Sequence, residues 1–224
     1  MLAVYSFVFG IIFKARWGAN VPDHDQSAFP LIIFCGLAVF NLFSESVNNS
    51  GAVVVNHASF VKKVIFPLEL LPICTAATSF LFGTAWFSLL LLGVCVLPQS
   101  FSWTMLLLPV PLFCLLLFTT GACFIIAAFG VYLRDVPQLV SAATQVLFFM
   151  TPIFYPLSLA PEHLRRLLYL NPLTPAVEET RKLFLYGQEP DYTVFLWLFI
   201  FSLAVFQIGF VCFGKMKKGF ADVL

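Results

Sequence analysis

Residues 70–133 contain 64 positions without a single charged side chain. Soluble domains carry about 25% charged residues, so a tract this long has no place on a water-facing fold. Two crossings of a hydrocarbon core need about 20 apolar residues each, and PQSFSW, residues 98–103, supplies the turn between them. The remainder agrees: the chain is 61% hydrophobic and 10% charged, with a mean hydropathy of +0.97. It reads as an all-α integral membrane protein forming one transmembrane domain, because a spanning helix satisfies its own backbone polar groups.

Six spans are expected, at residues 1–13, 29–49, 73–97, 105–131, 138–157 and 192–213. The first is short: thirteen residues cover roughly 20 Å against a core of about 30 Å. It is therefore expected to be the second half of a helix truncated at its N-terminus. Pro109 and Pro111 fall in the first turns of the fourth span, where a missing N–H costs least. Thr119, Thr120, Gly121 and Ala122 are small enough to let another helix approach. Glu45 stands near the end of the second span among Ser44, Ser46, Asn48 and Asn49, and reads as an interface residue rather than a buried ion site. The fifth span ends in TPIFYP, whose prolines 152 and 156 cannot continue a regular helix. Broken backbone at membrane depth must be buried in protein or line a cavity.

Residues 162–191 are the most polar segment, and residues 158–190 are expected to form a re-entrant helical hairpin between spans five and six. One short helix covers residues 161–169, and Asn171-Pro172 makes a turn. Thr174 is expected to cap a second helix with Pro175 in its first position. Glu178 and Lys182 form an i,i+4 pair, and Gly187 ends the helix.

No basic run exceeds two residues, so nothing points to nucleic acid. The six cysteines are scattered singly through apolar sequence and read as packing residues. His24, His57 and His163 lie in separate loops and make no metal pattern. The alternating spans put Lys62, Lys63, Arg134, Lys215, Lys217 and Lys218 on one face. Lys14, Arg16, Arg165, Arg166, Arg181 and Lys182 fall on the other. Setting aside the four in the hairpin, the short connections count six against two, which assigns the first face and the C-terminus to the cytoplasm.

The loop at residues 50–69 contains NHASFVKKVIFPLELLP, residues 56–72. Asn56 or Ser59 suits a helix cap, Phe60, Val61, Val64 and Ile65 fall at helical spacing, and Pro67 stops the helix before the next span. A short basic amphipathic helix between spans rests on the membrane surface or docks on a partner protein.

Three tracts together resemble one family. NHASFVKKVIFPLELLP is joined by YLRDVPQLV, residues 132–140, and by TPIFYP, residues 151–156, followed by LNPLTP, residues 170–175, and Arg181. In this order and spacing they resemble ABC-2-type permease subunits, specifically exporters of O-antigen and related polysaccharides. The resemblance implies a homodimer in the bacterial inner membrane, paired with two copies of a nucleotide-binding ATPase and moving a lipid-linked polysaccharide outward. It implies that residues 56–66 carry a coupling helix that meets the ATPase through Asn56, Phe60, Lys62, Lys63 and Phe66. Arg134 and Asp135 match a second connection near the same interface. The family's basic amphipathic helix ahead of the first span is not found in this sequence.

The spans offer no ion-coupling carboxylate and no buried basic residue, which disfavours coupling to protons or sodium. No GxxxxGK[ST] loop is present, so ATP and magnesium are expected in the partner and no cofactor in this chain. Among 28 Phe, 6 Tyr and 4 Trp, Phe149, Phe154 and Tyr155 in the broken segment are assigned to the substrate channel, where rings can stack on sugars. The competing class is a membrane-embedded transferase acting on lipid-linked sugars. It would need convergent acid–base groups at a membrane face, and only the dispersed Asp23/His24/Asp25 and Glu162/His163 are on offer.

Overall fold

The structure is a computed structural model and describes residues 29–63, 66–96, 102–157 and 160–223. The expected first span lies outside the described residues. The described residues are all helical or irregular, with no strand among them. The order is α1 (Phe29–Ser50), α2 (Val53–Asn56), α3 (Ala58–Lys63), α4 (Leu70–Val96), a 3₁₀ turn (Trp103–Leu107) and α5 (Pro109–Tyr132). Then follow α6 (Val136–Met150), α7 (Glu162–Tyr169), α8 (Leu173–Phe184), α9 (Tyr192–Met216), a 3₁₀ turn (Lys217–Gly219) and α10 (Phe220–Val223).

Four helical stretches are long and apolar enough to cross a membrane: Pro30–Ser50, Leu70–Val94, Trp103–Tyr132 and Tyr192–Gly219. The expected span at 138–157 is shorter than the sequence suggested. Its helix, α6, stops at Met150 after 15 residues, about 22 Å at 1.5 Å per residue. Residues 151–155 continue as irregular chain. The prolines at 152 and 156 explain the early stop, since each lacks the N–H that an i→i−4 bond requires.

The helices alternate in direction and define two ends. At one end, α2, α3, the α5–α6 turn and the C-terminal residues meet; at the other, α8 packs on α1, α5 and the 3₁₀ turn before α5, and α7 lies against α8. The central core joins Val39, Phe40, Phe43 and Val47 of α1 to Cys114 and Leu115 of α5 and to Ala176 and Val177 of α8. The small residues expected to admit a close neighbour do so at Gly121. A Cβ there would stand 2.6 Å from the backbone of Phe206, and one on Gly209 would stand 2.2 Å from the Gly121 carbonyl. α5 and α9 therefore pack backbone to backbone.

Helix starts differ in detail from expectation. Pro109 does open α5. α8 begins at Leu173 rather than after Thr174. Asn171, not Thr174, supplies the capping oxygen: its Oδ1 accepts from the Leu173 N–H at 3.1 Å. Thr174 is buried and its hydroxyl has no hydrogen-bond partner among the described residues. α8 ends at Phe184, and Gly187 follows with φ of 58°. That left-handed residue lets the Gln188 N–H return to the Lys182 carbonyl at 3.1 Å.

Candidate functional site

The loop at residues 50–69 forms two short helices instead of one. His57 ends α2, its Nδ1 lying 2.8 Å from the Val53 carbonyl, and α3 resumes at Ala58. Asn56 is the exposed last residue of α2. Phe60 is half-buried: its ring stacks on Phe66 at 5.0 Å and on His57 at 5.7 Å. Phe60 and Phe66 both pack on a buried cluster of Val54, Leu68, Phe124, Phe213 and Phe220. The backbone of Lys62 and Lys63 closes α3; their side chains, and residues 64–65, lie outside the described residues.

Arg134 and Asp135 are exposed in the turn between α5 and α6. Two glycines bring this turn against the start of α2. A Cβ on Gly130 would stand 1.9 Å from the Gly51 carbonyl, and one on Gly51 would stand 3.3 Å from Pro137. The loop at residues 50–69 and the α5–α6 turn thus share one end of the bundle. The C-terminal residues join them there: Lys217 Nζ donates to both Glu69 oxygens, at 2.8 and 3.0 Å, and the Tyr132 hydroxyl donates to the Met216 carbonyl at 2.9 Å. Partial burial pushes the Glu69 carboxyl up, but the Lys217 hydrogen bond, a backbone bond and the ammonium's charge outweigh it and hold it below its ordinary value.

The opposite end is held by an arginine. Arg181 in α8 is fully buried, whereas the charge count places it among the charges of one face. Its Nη1 donates to the Pro152 carbonyl at 2.6 Å and to Glu178 Oε1 at 3.0 Å. Its Nη2 donates to the Ile153 carbonyl at 2.8 Å, and Nε to the Ile32 carbonyl at 3.2 Å. One guanidinium therefore joins α8, the broken segment and the start of α1. The planar fork suits this task, with donors fixed in several directions. Room for it comes from Gly36, where a Cβ would stand 2.6 Å from Nη2. The ion pairs of α8 run i,i+3, Glu178 with Arg181 and Glu179 with Lys182 at 2.6 Å, in place of the expected Glu178–Lys182 pair. Burial pushes the Lys182 ammonium down, yet the hydrogen bond and charge of Glu179, with Asp191 and Tyr169 adding to them, raise it overall. Asn171 Nδ2 adds a further link to the broken segment by donating to Thr151 Oγ1 at 3.0 Å.

Between the two ends, α1 and α6 form an open groove of about 220 Å³ lined by Phe40, Ser44, Thr144, Gln145, Phe148 and Phe149. Asn48 tethers the two helices, with Nδ2 2.7 Å from the Ser44 carbonyl and 3.4 Å from Thr144 Oγ1. Gln138, Ser141 and Gln145 are exposed at i, i+3 and i+7 along α6, and Glu45 and Asn49 are exposed on α1. Glu45 thus stands at the surface, not in a buried ion site. Of the assigned channel residues, Phe149 is 73% exposed beside the groove. Phe154 is half-buried with its ring on Phe148 at 5.3 Å, and the Tyr155 hydroxyl donates to the Phe149 carbonyl at 3.5 Å. Sequence reasoning missed Phe40, Ser44 and Gln145; the polar stripe of α6 was the signal available for Gln145.

Residues 1–185 match the ABC-2 type transporter family. The chain is 26% identical over 226 residues to the O-antigen export system permease protein RfbA of Klebsiella pneumoniae, covering 99% of this chain and 83% of that protein. It is 27% identical over 221 residues to the protein of the same name from Myxococcus xanthus, covering 98% and 83%. Over 193 residues it is 27% identical to the polysialic acid transport protein KpsM of Escherichia coli, covering 85% and 74%. With most of its length matched, and with helices built for a bilayer, the chain belongs to the ABC-2 type transporter family.

Proposed function

We propose that the chain is the permease subunit of an ATP-driven exporter that moves lipid-linked O-antigen or a related polysaccharide outward across the bacterial inner membrane. It works as a homodimer with two copies of a nucleotide-binding ATPase. Its α2–α3 end and C-terminus face the cytoplasm, and its α7–α8 hairpin is re-entrant at the outer face. The relatives named as O-antigen permeases support the substrate class.

The observation that carries the reading is the groove between α1 and α6. Exposed glutamine and serine at membrane depth are costly against lipid, so they belong on a water-filled path or against a second copy. Phenylalanines flank those amides and hydroxyls. Sugars present apolar ring faces and hydroxyl edges, and this mixture suits both without demanding one sequence of residues. In a homodimer facing this groove inward, Phe149, Phe154 and Tyr155 sit toward its outer end. At the opposite end Asn56, Phe60, Lys62, Lys63, Phe66, Arg134 and Asp135 form the coupling region, with Phe60 and Phe66 backing α3 rather than facing outward. ATP and magnesium are bound by the partner.

The experiment is the double substitution Lys62→Glu with Lys63→Glu, read by co-purification of the ATPase and by surface polysaccharide. The expected result is loss of both; unchanged co-purification contradicts the coupling assignment.

A further inference from the structure

α3 has six residues, too few to hold a helical conformation unaided. A kink at His57 precedes it and Pro67 follows closely. What steadies it comes from the far end of the chain. Phe220 is fully buried, its ring 5.5 Å from Phe213 and 5.9 Å from Tyr132. It sits in the cluster on which Phe60 and Phe66 pack, and α10 lies against α3. Lys217 grips Glu69, one residue before α4. The close approach of Gly219, where a Cβ would stand 2.6 Å from the Tyr132 hydroxyl, lets the chain turn back into this cluster.

We propose that residues 217–223 are a strap that positions α3, with Phe220 and Lys217 as its two positioning residues. This rests on the reading of α3 as the ATPase-coupling helix. A load applied to α3 by the partner then passes into α5 and α9 through the Phe124–Phe213–Phe220 contacts, instead of being absorbed by a yielding loop. The strap lies beyond residue 185, where the family match ends.

The test is amide hydrogen exchange on the full chain in lipid nanodiscs, combined with export per ATP hydrolysed in the assembled transporter. Phe220→Ala is expected to speed exchange in α3 by roughly tenfold or more while the buried amides around Gly121 keep their rates. Lys217→Glu, which sets two carboxylates against each other, is expected to speed α3 exchange by about two- to fivefold. Adding Glu69→Lys is expected to reverse it. Unchanged α3 exchange in both single variants overturns the strap. So does acceleration spread equally over α5 and α9, which marks Phe220 as ordinary core. If Phe220→Ala does not fold, failure of Glu69→Lys to rescue Lys217→Glu overturns it alone. The exchange arm needs no ATPase, so absence of an ATPase complex with the wild-type chain contradicts the proposed function, while the exchange rates still decide the strap. Given that complex, export per ATP in Lys217→Glu is expected to fall severalfold and return with Glu69→Lys. An unaltered ratio overturns the positioning role.

Discussion

Arg181 donates to the Pro152 carbonyl at 2.6 Å, and the reason lies four residues further along. In a continuous helix that carbonyl would accept the N–H of residue 156, which is a proline and has none. The guanidinium fills a vacancy created by the sequence itself. Arg181→Met is expected to leave the Pro152 and Ile153 carbonyls without this donor and to destabilise the fold by about 3–5 kcal/mol. Arg181→Lys keeps the charge but cannot span three elements, and should recover only part of the loss. Thermal unfolding in detergent, compared with wild type, checks both.

Gly36 is coupled to the same clamp. Gly36→Ala introduces a methyl 2.6 Å from Arg181 Nη2 and must displace the guanidinium. Its destabilisation is expected to be non-additive with Arg181→Met, since the clamp can be lost only once. A double-mutant cycle measures this, with a coupling energy of about 1–3 kcal/mol expected.

Backbone contact between α5 and α9 gives a third expectation. Gly209→Ala places a methyl 2.2 Å from the Gly121 carbonyl, where no side-chain movement can relieve it. Overpacking of this kind costs typically about 1–3 kcal/mol, read as a lower midpoint of unfolding. Gly214→Ala, one turn or so further along α9, meets nothing within 4 Å and should be silent.

Four of the six expected spans were legible because a hydrocarbon core imposes length and apolarity on any helix crossing it, as the uncharged tract at 70–133 illustrates. The early stop of α6 was half legible. Pro152 and Pro156 announced broken backbone, yet its extent depended on where the freed carbonyls found donors. Arg181 was visible as a charge and as part of the family resemblance, and the count of loop charges assigned it to a face, but its partners were not. Asking which donor serves the Pro152 carbonyl would have found it, because buried backbone groups are almost always paired. The groove was hidden for another reason. Gln145 and Ser44 lie 101 positions apart in sequence, and only the packing of α6 on α1 makes them neighbours.

The Lys217–Glu69 pair sets a pH dependence. The folded Glu69 pKa lies below its ordinary 4.5, so the pair's contribution is present above that value and is lost as pH falls through the lower folded value. Both side chains are partly exposed, which limits the contribution to about 0.2–1 kcal/mol. Glu69→Gln is therefore expected to destabilise by about that amount at neutral pH, and by progressively less as pH falls through the lowered folded value. Unfolding measured for both proteins across the range checks the difference.

In the groove, Gln145→Leu is expected to keep the fold and raise stability in detergent slightly, since an exposed amide is replaced by an apolar side chain. Export should fall, as should export by Phe149→Ala. Quantifying surface polysaccharide against the amount of permease in the membrane separates transport from folding.

The most direct measurement is ATP-dependent movement of lipid-linked polysaccharide into sealed vesicles containing this chain and its partner ATPase. Transfer that requires both ATP and the permease, and that Lys62→Glu with Lys63→Glu abolishes, is the predicted result. Transfer that proceeds without ATP, or no transfer of any polysaccharide by an assembled and ATP-hydrolysing complex, would contradict the account.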